Sequence, residues 1–142
     1  NLAMLTEIIK SAGYIARPVH NVKQAIKELN SQLPSMIILD VSLPGTDGFE
    51  FCAMLKKNPV TRNIPVIFIS AFDSPEARIK GLKLGAVDFI AKPFEIEEVI
   101  LRIRTHMKLY KKQQNLESYN KKLFKIISEH VNQIYEEQKI ML

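Results

Sequence analysis

Three polar residues in this sequence, Asp40, Ser70 and Lys92, each come directly after a short run of apolar residues. Apolar runs of this length, bounded by proline and glycine, are typical of buried parallel strands. In open α/β sheets, ligands bind beyond the carboxyl ends of the strands. An acid, a hydroxyl and an ammonium group at one sheet edge would suit phosphoryl chemistry on a carboxylate. We therefore take these three residues as the candidate site.

The elements that would position this site alternate between helix and strand signals. The predicted strands are Ile15–Val19, Met36–Asp40, Pro65–Ser70 and Asp88–Ala91. Helices are predicted near residues 2–12, after Asn21, over 48–57 and 74–84, and from about 95 onwards. This alternation predicts right-handed βαβ crossovers, and so an α/β fold with a doubly wound parallel sheet and a long C-terminal helix.

The composition favours one domain with an extension. The chain has 142 residues, of which 46% are hydrophobic and 25% are charged, as in ordinary globular proteins. No apolar run approaches the roughly 20 residues that span a bilayer. The single cysteine, Cys52, excludes an internal disulfide framework and is interpreted as a buried structural thiol rather than a nucleophile. We expect a cytoplasmic protein.

The net charge of +5 raises the possibility of nucleic-acid binding. Residues 1–104 hold 13 Lys and Arg against 11 Asp and Glu, and residues 105–142 hold 7 against 4. Lys111-Lys112 and Lys121-Lys122 are separate pairs, which a solvated helix face explains. With no recognition motif present, no direct nucleic-acid contact is expected, and none with a membrane.

Five sequence segments, read in order, resemble the receiver domain of bacterial two-component response regulators. They are Ile37–Asp40, Leu43–Gly48, Ser70-Ala71, Gly85–Phe89 and Ala91–Phe94. The resemblance covers residues 1–107, and we assign 108–142 to a helical coiled-coil linker. It implies a flavodoxin-like fold with strand order 2-1-3-4-5. It also implies a signalling domain that assists its own phosphotransfer and dephosphorylation, rather than an enzyme with a separate substrate.

The resemblance also implies a role for each candidate residue. Asp40 matches the phosphoacceptor, whose carboxylate is already ionised at neutral pH. Lys92 and Ser70 match the groups that bind the phosphoryl oxygens, and Ser70 is also part of the switch. Phe89 matches the aromatic switch residue that rotates inward. Out of context, each has an ordinary explanation: a loop acid, a surface lysine, a turn cap or a core aromatic.

The resemblance implies a magnesium site and a cis peptide as well. Asp40 and the backbone carbonyl of Ser42 match two Mg²⁺ ligands, and Lys92-Pro93 matches a cis X–Pro bond. The family's first strand, which ends in a pair of acidic Mg²⁺ ligands, is absent from this chain. We expect the native protein to extend upstream, the alternative being a strand lent by a partner chain. Magnesium is therefore expected in the complete domain, whereas its binding by this chain is in doubt.

The C-terminal segment shows a heptad pattern without proline or glycine. The proposed dimerisation residues are Leu109, Leu116, Leu123, Ile127 and Ile134, and Met141 continues the pattern. Asn120 and His130 are polar positions in this seam. A register through Val131 after Ile127 is an alternative, as a stutter would produce. The pattern predicts a parallel coiled coil between two copies, like the linkers that join receivers to output domains.

Two functions remain open at this stage. The first is a phosphorylation-controlled switch that accepts a phosphoryl group on Asp40 from a histidine kinase or phosphotransfer protein. It would pass the change through the C-terminal helix to an output domain, whose identity the sequence does not reveal. The second is a degenerate receiver that acts as a constitutive dimerisation module. A flavodoxin-like cofactor binder is disfavoured because no glycine-rich phosphate loop is present.

Overall fold

The structure of the chain is a computed structural model. It describes residues 2–43, 45–71 and 74–137. The strands are β1 (Ile37–Asp40), β2 (Ser42–Leu43), β3 (Thr46–Asp47), β4 (Val66–Ser70) and β5 (Asp88–Ala91). The helices are α1 (Leu2–Ser11), α2 (Val22–Ser31), α3 (Gly48–Lys57), α4 (Pro75–Lys83) and α5 (Ile96–Glu137).

A three-stranded parallel sheet in the order β1-β4-β5 forms the centre of the fold. Every residue of β4 is buried, which explains its uninterrupted apolar run. On one face, Val66 and Phe68 join a core that includes residues of α2, α3 and α4. On the other face, Ile67 and Ile69 join a core with residues of α1 and α5. The predicted doubly wound α/β architecture is therefore confirmed.

Side-chain caps explain where three of the helices begin. Asn21 accepts a hydrogen bond from the backbone N–H of Gln24 at the start of α2. Asp47 accepts one from Phe49 N–H at the start of α3. Ser74 accepts one from the N–H of Ala77, with a proline in the first turn of α4. Each cap satisfies a backbone donor that has no partner inside the helix.

The predicted strand at Ile15–Val19 is wrong, because the structure assigns no strand to these residues. A strand persists only where a neighbour completes its hydrogen-bond ladder, and no described strand lies beside this segment. The side chain of Arg17 holds it instead. Its guanidinium donates hydrogen bonds to the carbonyl oxygens of Gln32 at 2.8 Å and Glu28 at 2.9 Å.

A short antiparallel pair that sequence reasoning missed follows β1. In β2 and β3, Ser42 pairs with Asp47 and Leu43 pairs with Thr46. Two-residue strands are too short to give an alternating pattern, so the sequence does not predict them. Pro44, which lies between them in the sequence, is outside the described residues.

The chain divides into two compact units, Asn1–Met107 and Lys108–Leu142. The first unit holds the parallel sheet and both cores. The described part of the second unit, residues 108–137, is helical, and nearly all of its side chains are exposed. Met141 of the predicted seam lies outside the described residues. Among the described helices, none is long and apolar enough to cross a membrane.

Candidate functional site

Asp40, Ser70 and Lys92 come together at the carboxyl edge of the parallel sheet. Asp40 is the last residue of β1 and lies beside Ile69, the residue before Ser70. Ser70 ends β4 and pairs with Ala91, the residue before Lys92. The parallel register therefore brings the three polar residues to the same end of three neighbouring strands, where sequence reasoning placed them.

The Asp40 carboxylate has a different partner at each oxygen. The Lys92 ammonium lies 2.7 Å from Oδ2, and the backbone N–H of Ser42 donates to Oδ1 at 3.0 Å. The two side chains of the ion pair are about one-third exposed, 32% for Asp40 and 28% for Lys92. The carboxylate is thus held in place and still reachable from solvent. Such a group can act as a nucleophile toward an incoming electrophile.

The backbone also ties Lys92 to Ser70. The N–H of Lys92 donates to the carbonyl oxygen of Ser70 at 2.8 Å, which extends the ladder by one residue beyond β5. The peptide bond between Lys92 and Pro93 is cis. The side chain of Ser70 is buried. The lysine is therefore fixed at its backbone, while its side chain reaches across to β1.

Phe89 points inward, into the core on the α4 side of the sheet. Its ring centroid lies 6.1 Å from that of Phe68, and the guanidinium of Arg78 lies 5.5 Å above its ring. A Cβ added at Gly81 would come within 3.4 Å of the Phe89 ring and 3.0 Å of the Phe68 ring. The absence of a side chain at Gly81 thus leaves room for both rings.

Gly48 is a supporting residue to which sequence reasoning gave no separate role. A Cβ at this position would clash with the carbonyl oxygen of Asp40 and would lie 2.8 Å from Cα of Val41. The N–H of Gly48 also donates to the carbonyl oxygen of Val41 at 2.7 Å. The start of α3 can therefore approach the end of β1 only because residue 48 is glycine. In the sequence, the Asp47-Gly48 pair was the signal from which this close approach of α3 to β1 could have been predicted.

The protein ligands for magnesium at this edge are few. Within residues 2–43, 45–71 and 74–137, no group of three or more His, Cys, Asp or Glu side chains could hold a metal ion. The carboxylate of Asp40 and the carbonyl of Ser42 are the oxygen donors that the family resemblance implies. Mg²⁺ commonly keeps several waters and takes only one or two carboxylates. These two donors fit that pattern as part of a site.

Two titratable groups with shifted pKa values lie on α3. Burial raises the pKa of the Cys52 thiol, and the nearby Lys56 ammonium opposes this effect. Burial lowers the pKa of Lys56, whose ammonium donates to the carbonyl oxygens of Ile64 at 2.8 Å and Arg62 at 3.1 Å. Cys52 is fully buried in the core, which agrees with the structural role expected for it.

The proposed dimerisation residues are all exposed in the single chain. Leu109, Leu116, Leu123, Ile127 and Ile134 lie on α5 at the predicted spacing. Large exposed apolar patches are common at protein–protein interaction sites.

Comparisons with known proteins agree with this geometry. The sequence model of the family described as the response regulator receiver domain matches residues 1–104. The phosphate regulon transcriptional regulatory protein PhoB of Klebsiella pneumoniae is 35% identical over 105 residues, which are 74% of this chain and 46% of that protein. The response regulator PleD of Caulobacter vibrioides is 48% identical over 105 residues, 74% of this chain and 23% of that protein.

The fold is likewise similar to solved receivers. A response regulator structure from Chloroflexus aurantiacus J-10-fl aligns with a TM-score of 0.71 and 33% identity, covering 75% of this chain and 88% of that one. The chain spans less than half the length of the two curated relatives named above. The match over residues 1–104, with the acid, hydroxyl and lysine at one sheet edge, shows that the chain belongs to the response regulator receiver domain family of two-component signalling.

Proposed function

We propose that Asp40 accepts a phosphoryl group from the phosphohistidine of a histidine kinase or phosphotransfer protein. One carboxylate oxygen would attack phosphorus, the P–N bond would break, and the released imidazole would take up a proton. The observation that supports this best is the 2.7 Å pair between Lys92 Nζ and Asp40 Oδ2. A compact ammonium held beside the nucleophile can follow the charge onto the phosphoryl oxygens.

Magnesium would neutralise charge on the transferred group when bound, as in other phosphoryl transfers. The carboxylate of Asp40 and the carbonyl of Ser42 would hold it. The protein's own groups position the acceptor and bind the phosphoryl group. Lys92 positions and pairs with the acceptor, the Ser42 N–H fixes the other carboxylate oxygen, and Ser70 lies at the next strand end to bind the phosphoryl group.

Phosphorylation would be read out through Ser70 and Phe89 and then through α5. The side chains of Ser70 and Phe89 are already buried. A small inward movement of the Ser70 hydroxyl would therefore displace the packed rings of Phe89 and Phe68. The exposed row on α5 would pair in parallel with a second copy, and repacking would alter that pair. An output domain would receive the change.

The test is phosphorylation by a small phosphodonor with Mg²⁺, followed by intact mass measurement. The parent chain should gain one phosphoryl group, and Asp40→Asn should gain none. Asp47→Asn is the matched control, because this acid caps α3 by a hydrogen bond that an amide oxygen can also accept. Labelling that persists in Asp40→Asn would rule out the assignment.

The second candidate function is a constitutive dimerisation module that does not take up phosphate. It is favoured by the exposed apolar row on α5, which could pair with a second copy whether or not Asp40 carries a phosphoryl group. It predicts that the parent chain associates identically with and without phosphodonor and Mg²⁺ and gains no mass. Uptake of one phosphoryl group at Asp40 would exclude it.

A further inference from the structure

The apolar surface of α5 between residues 108 and 137 is wider than a two-stranded coiled coil requires. The seam proposed above uses Leu116, Leu123, Ile127 and their heptad equivalents. Four further apolar side chains flank it and are strongly exposed: Tyr119 at 62%, Phe124 at 72%, Ile126 at 62% and Val131 at 57%. At 3.6 residues per turn, seam and flanks together cover about 160° of the helix circumference.

These four side chains occupy the positions on either side of the seam, e and g of the heptad. In two-stranded coiled coils those positions are commonly Glu or Lys, since they stay in contact with water. Apolar residues there are typical of a helix that packs in a bundle, where the buried face is broader than an a/d seam. One partner helix would cover the seam and leave Phe124 and Ile126 exposed on opposite flanks.

We propose that two parallel helix pairs dock through these flanks to form a four-helix bundle from four copies of the chain. This inference rests on the pairing in the proposed function and adds a second interface to it. The seam residues would form the contact within each pair. Tyr119, Phe124, Ile126 and Val131, which we call the flank residues, would form the contact between pairs.

The charges along the helix set the relative direction of the two pairs. Residues 108–125 contain six lysines and one glutamate, whereas residues 126–137 contain three glutamates and no lysine. Within a parallel pair, each half lies beside a half of the same sign. If the two pairs dock antiparallel, the basic half of one pair faces the acidic half of the other. Complementary charge of this kind fixes orientation and register.

A membrane surface is the competing occupant, because lysines beside apolar residues also suit anionic lipid. The distribution along the helix argues against it. The apolar surface continues through Ile126, Val131 and Ile134, where the charges outside the seam are Glu129 and Glu136. Anionic lipid would repel this half of the helix. A second helix pair docked antiparallel would instead place opposite charge beside both halves.

The test is the molar mass of the full chain by light scattering and sedimentation, with folding checked by circular dichroism. The parent should contain four copies. The flank variant Phe124→Lys/Ile126→Lys should contain two, and the seam variant Leu116→Asp/Leu123→Asp should contain one. The control Ser118→Lys/Asn132→Lys adds the same charge on the opposite helix face, and it should retain four copies.

The outcomes separate this inference from the pairing on which it rests. Two copies in both the parent and the flank variant would overturn the bundle and leave the pair intact. One copy in the parent, unchanged in the seam variant, would overturn both. Flotation of the parent with vesicles of anionic phospholipid, lost in the flank variant, would assign the surface to lipid and overturn the bundle.

The direction of docking has its own test in the double variant Glu129→Lys/Glu136→Lys, which leaves the seam unchanged. In an antiparallel arrangement, basic halves would then face basic halves, and the assembly should fall from four copies to two. If the two pairs dock parallel, halves of the same sign face each other in the parent and also in the variant, so the variant should not lose copies for this reason. Retention of four copies by the double variant would therefore overturn the antiparallel direction.

Discussion

Lys92 and Asp40 are 52 residues apart in the sequence, and the Lys92 Nζ atom lies 2.7 Å from Asp40 Oδ2. The strand order β1-β4-β5 produces this contact, because Lys92 reaches from the end of β5 to the end of β1 past Ser70. The carboxyl ends of the two outer strands of the sheet are thus joined by one ion pair. Both side chains of the pair are about one-third exposed, so the contact is open to solvent.

We predict that Lys92→Met will slow phosphorylation of Asp40 strongly and change stability little. With both side chains about one-third exposed, the coupling free energy of the pair should be about 1 kcal/mol or less. A double-mutant cycle with Asp40→Asn, followed by urea unfolding, measures that coupling. Lys83→Met is the control, since this lysine lies on α4. A phosphorylation rate unchanged in Lys92→Met would contradict the role of the ammonium.

Gly48→Ala should destabilise the protein by about 2–3 kcal/mol, as overpacking against fixed backbone does. The added Cβ would collide with the carbonyl of Asp40 and the backbone of Val41, neither of which can rotate away. Urea denaturation measures the change. Gly81→Ala is the comparison, because its nearest neighbours are ring atoms of Phe68 and Phe89 that can shift slightly. Equal losses for both variants would argue against the backbone clash.

Sequence reasoning placed Asp40 and Ser70 at strand ends because these positions are marked locally. Asp40 and Ser70 each end an apolar run, so their positions in the sheet follow from strand boundaries alone. Helix caps are equally local, and Asn21 and Ser74 were both recognised as helix starts. Features of this kind depend on a few neighbouring residues, and their physical causes can be seen in the sequence.

The parts that failed depend on distant partners. The apolar residues around Ile15 suggested a strand, but a strand needs a ladder neighbour that no local pattern supplies. Arg17 reaches Glu28 and Gln32 only after α2 has folded beside it. Gly48 likewise showed its role only when α3 was seen against the end of β1.

Asp88→Asn should weaken the attachment of α5 to β5. The Asp88 carboxylate lies 2.6 Å from Arg102 Nη1 and 2.9 Å from His106 Nε2. Because these groups are partly exposed, the expected loss is about 1 kcal/mol. Glu98→Gln removes the second carboxylate beside Arg102, one helical turn away, and should cost only about 0.3 kcal/mol. Thermal and urea unfolding of both variants would decide, and a larger loss in Glu98→Gln would contradict this ranking.

The buried thiol of Cys52 gives a prediction for alkaline pH. Burial raises its pKa above the ordinary value of 9.0, so the folded state holds this proton more tightly than the unfolded state. The resulting contribution to stability is fully present below pH 9.0 and is lost as pH rises through the folded pKa. The lowered pKa of Lys56 acts in the opposite direction below its ordinary value of 10.5.

Comparison of the parent with Cys52→Ala tests the thiol together with its electrostatic effect on Lys56, which is present in both. The free energy of unfolding, measured by urea at a series of pH values from 7 to 10, should fall more steeply in the parent above pH 9.0. The alanine variant should be less stable at neutral pH, since it leaves a cavity in the core. Reaction with a thiol reagent gives an independent check. Rapid labelling of the native parent at pH 8, with no loss of helix content, would show that Cys52 is accessible and would overturn this account.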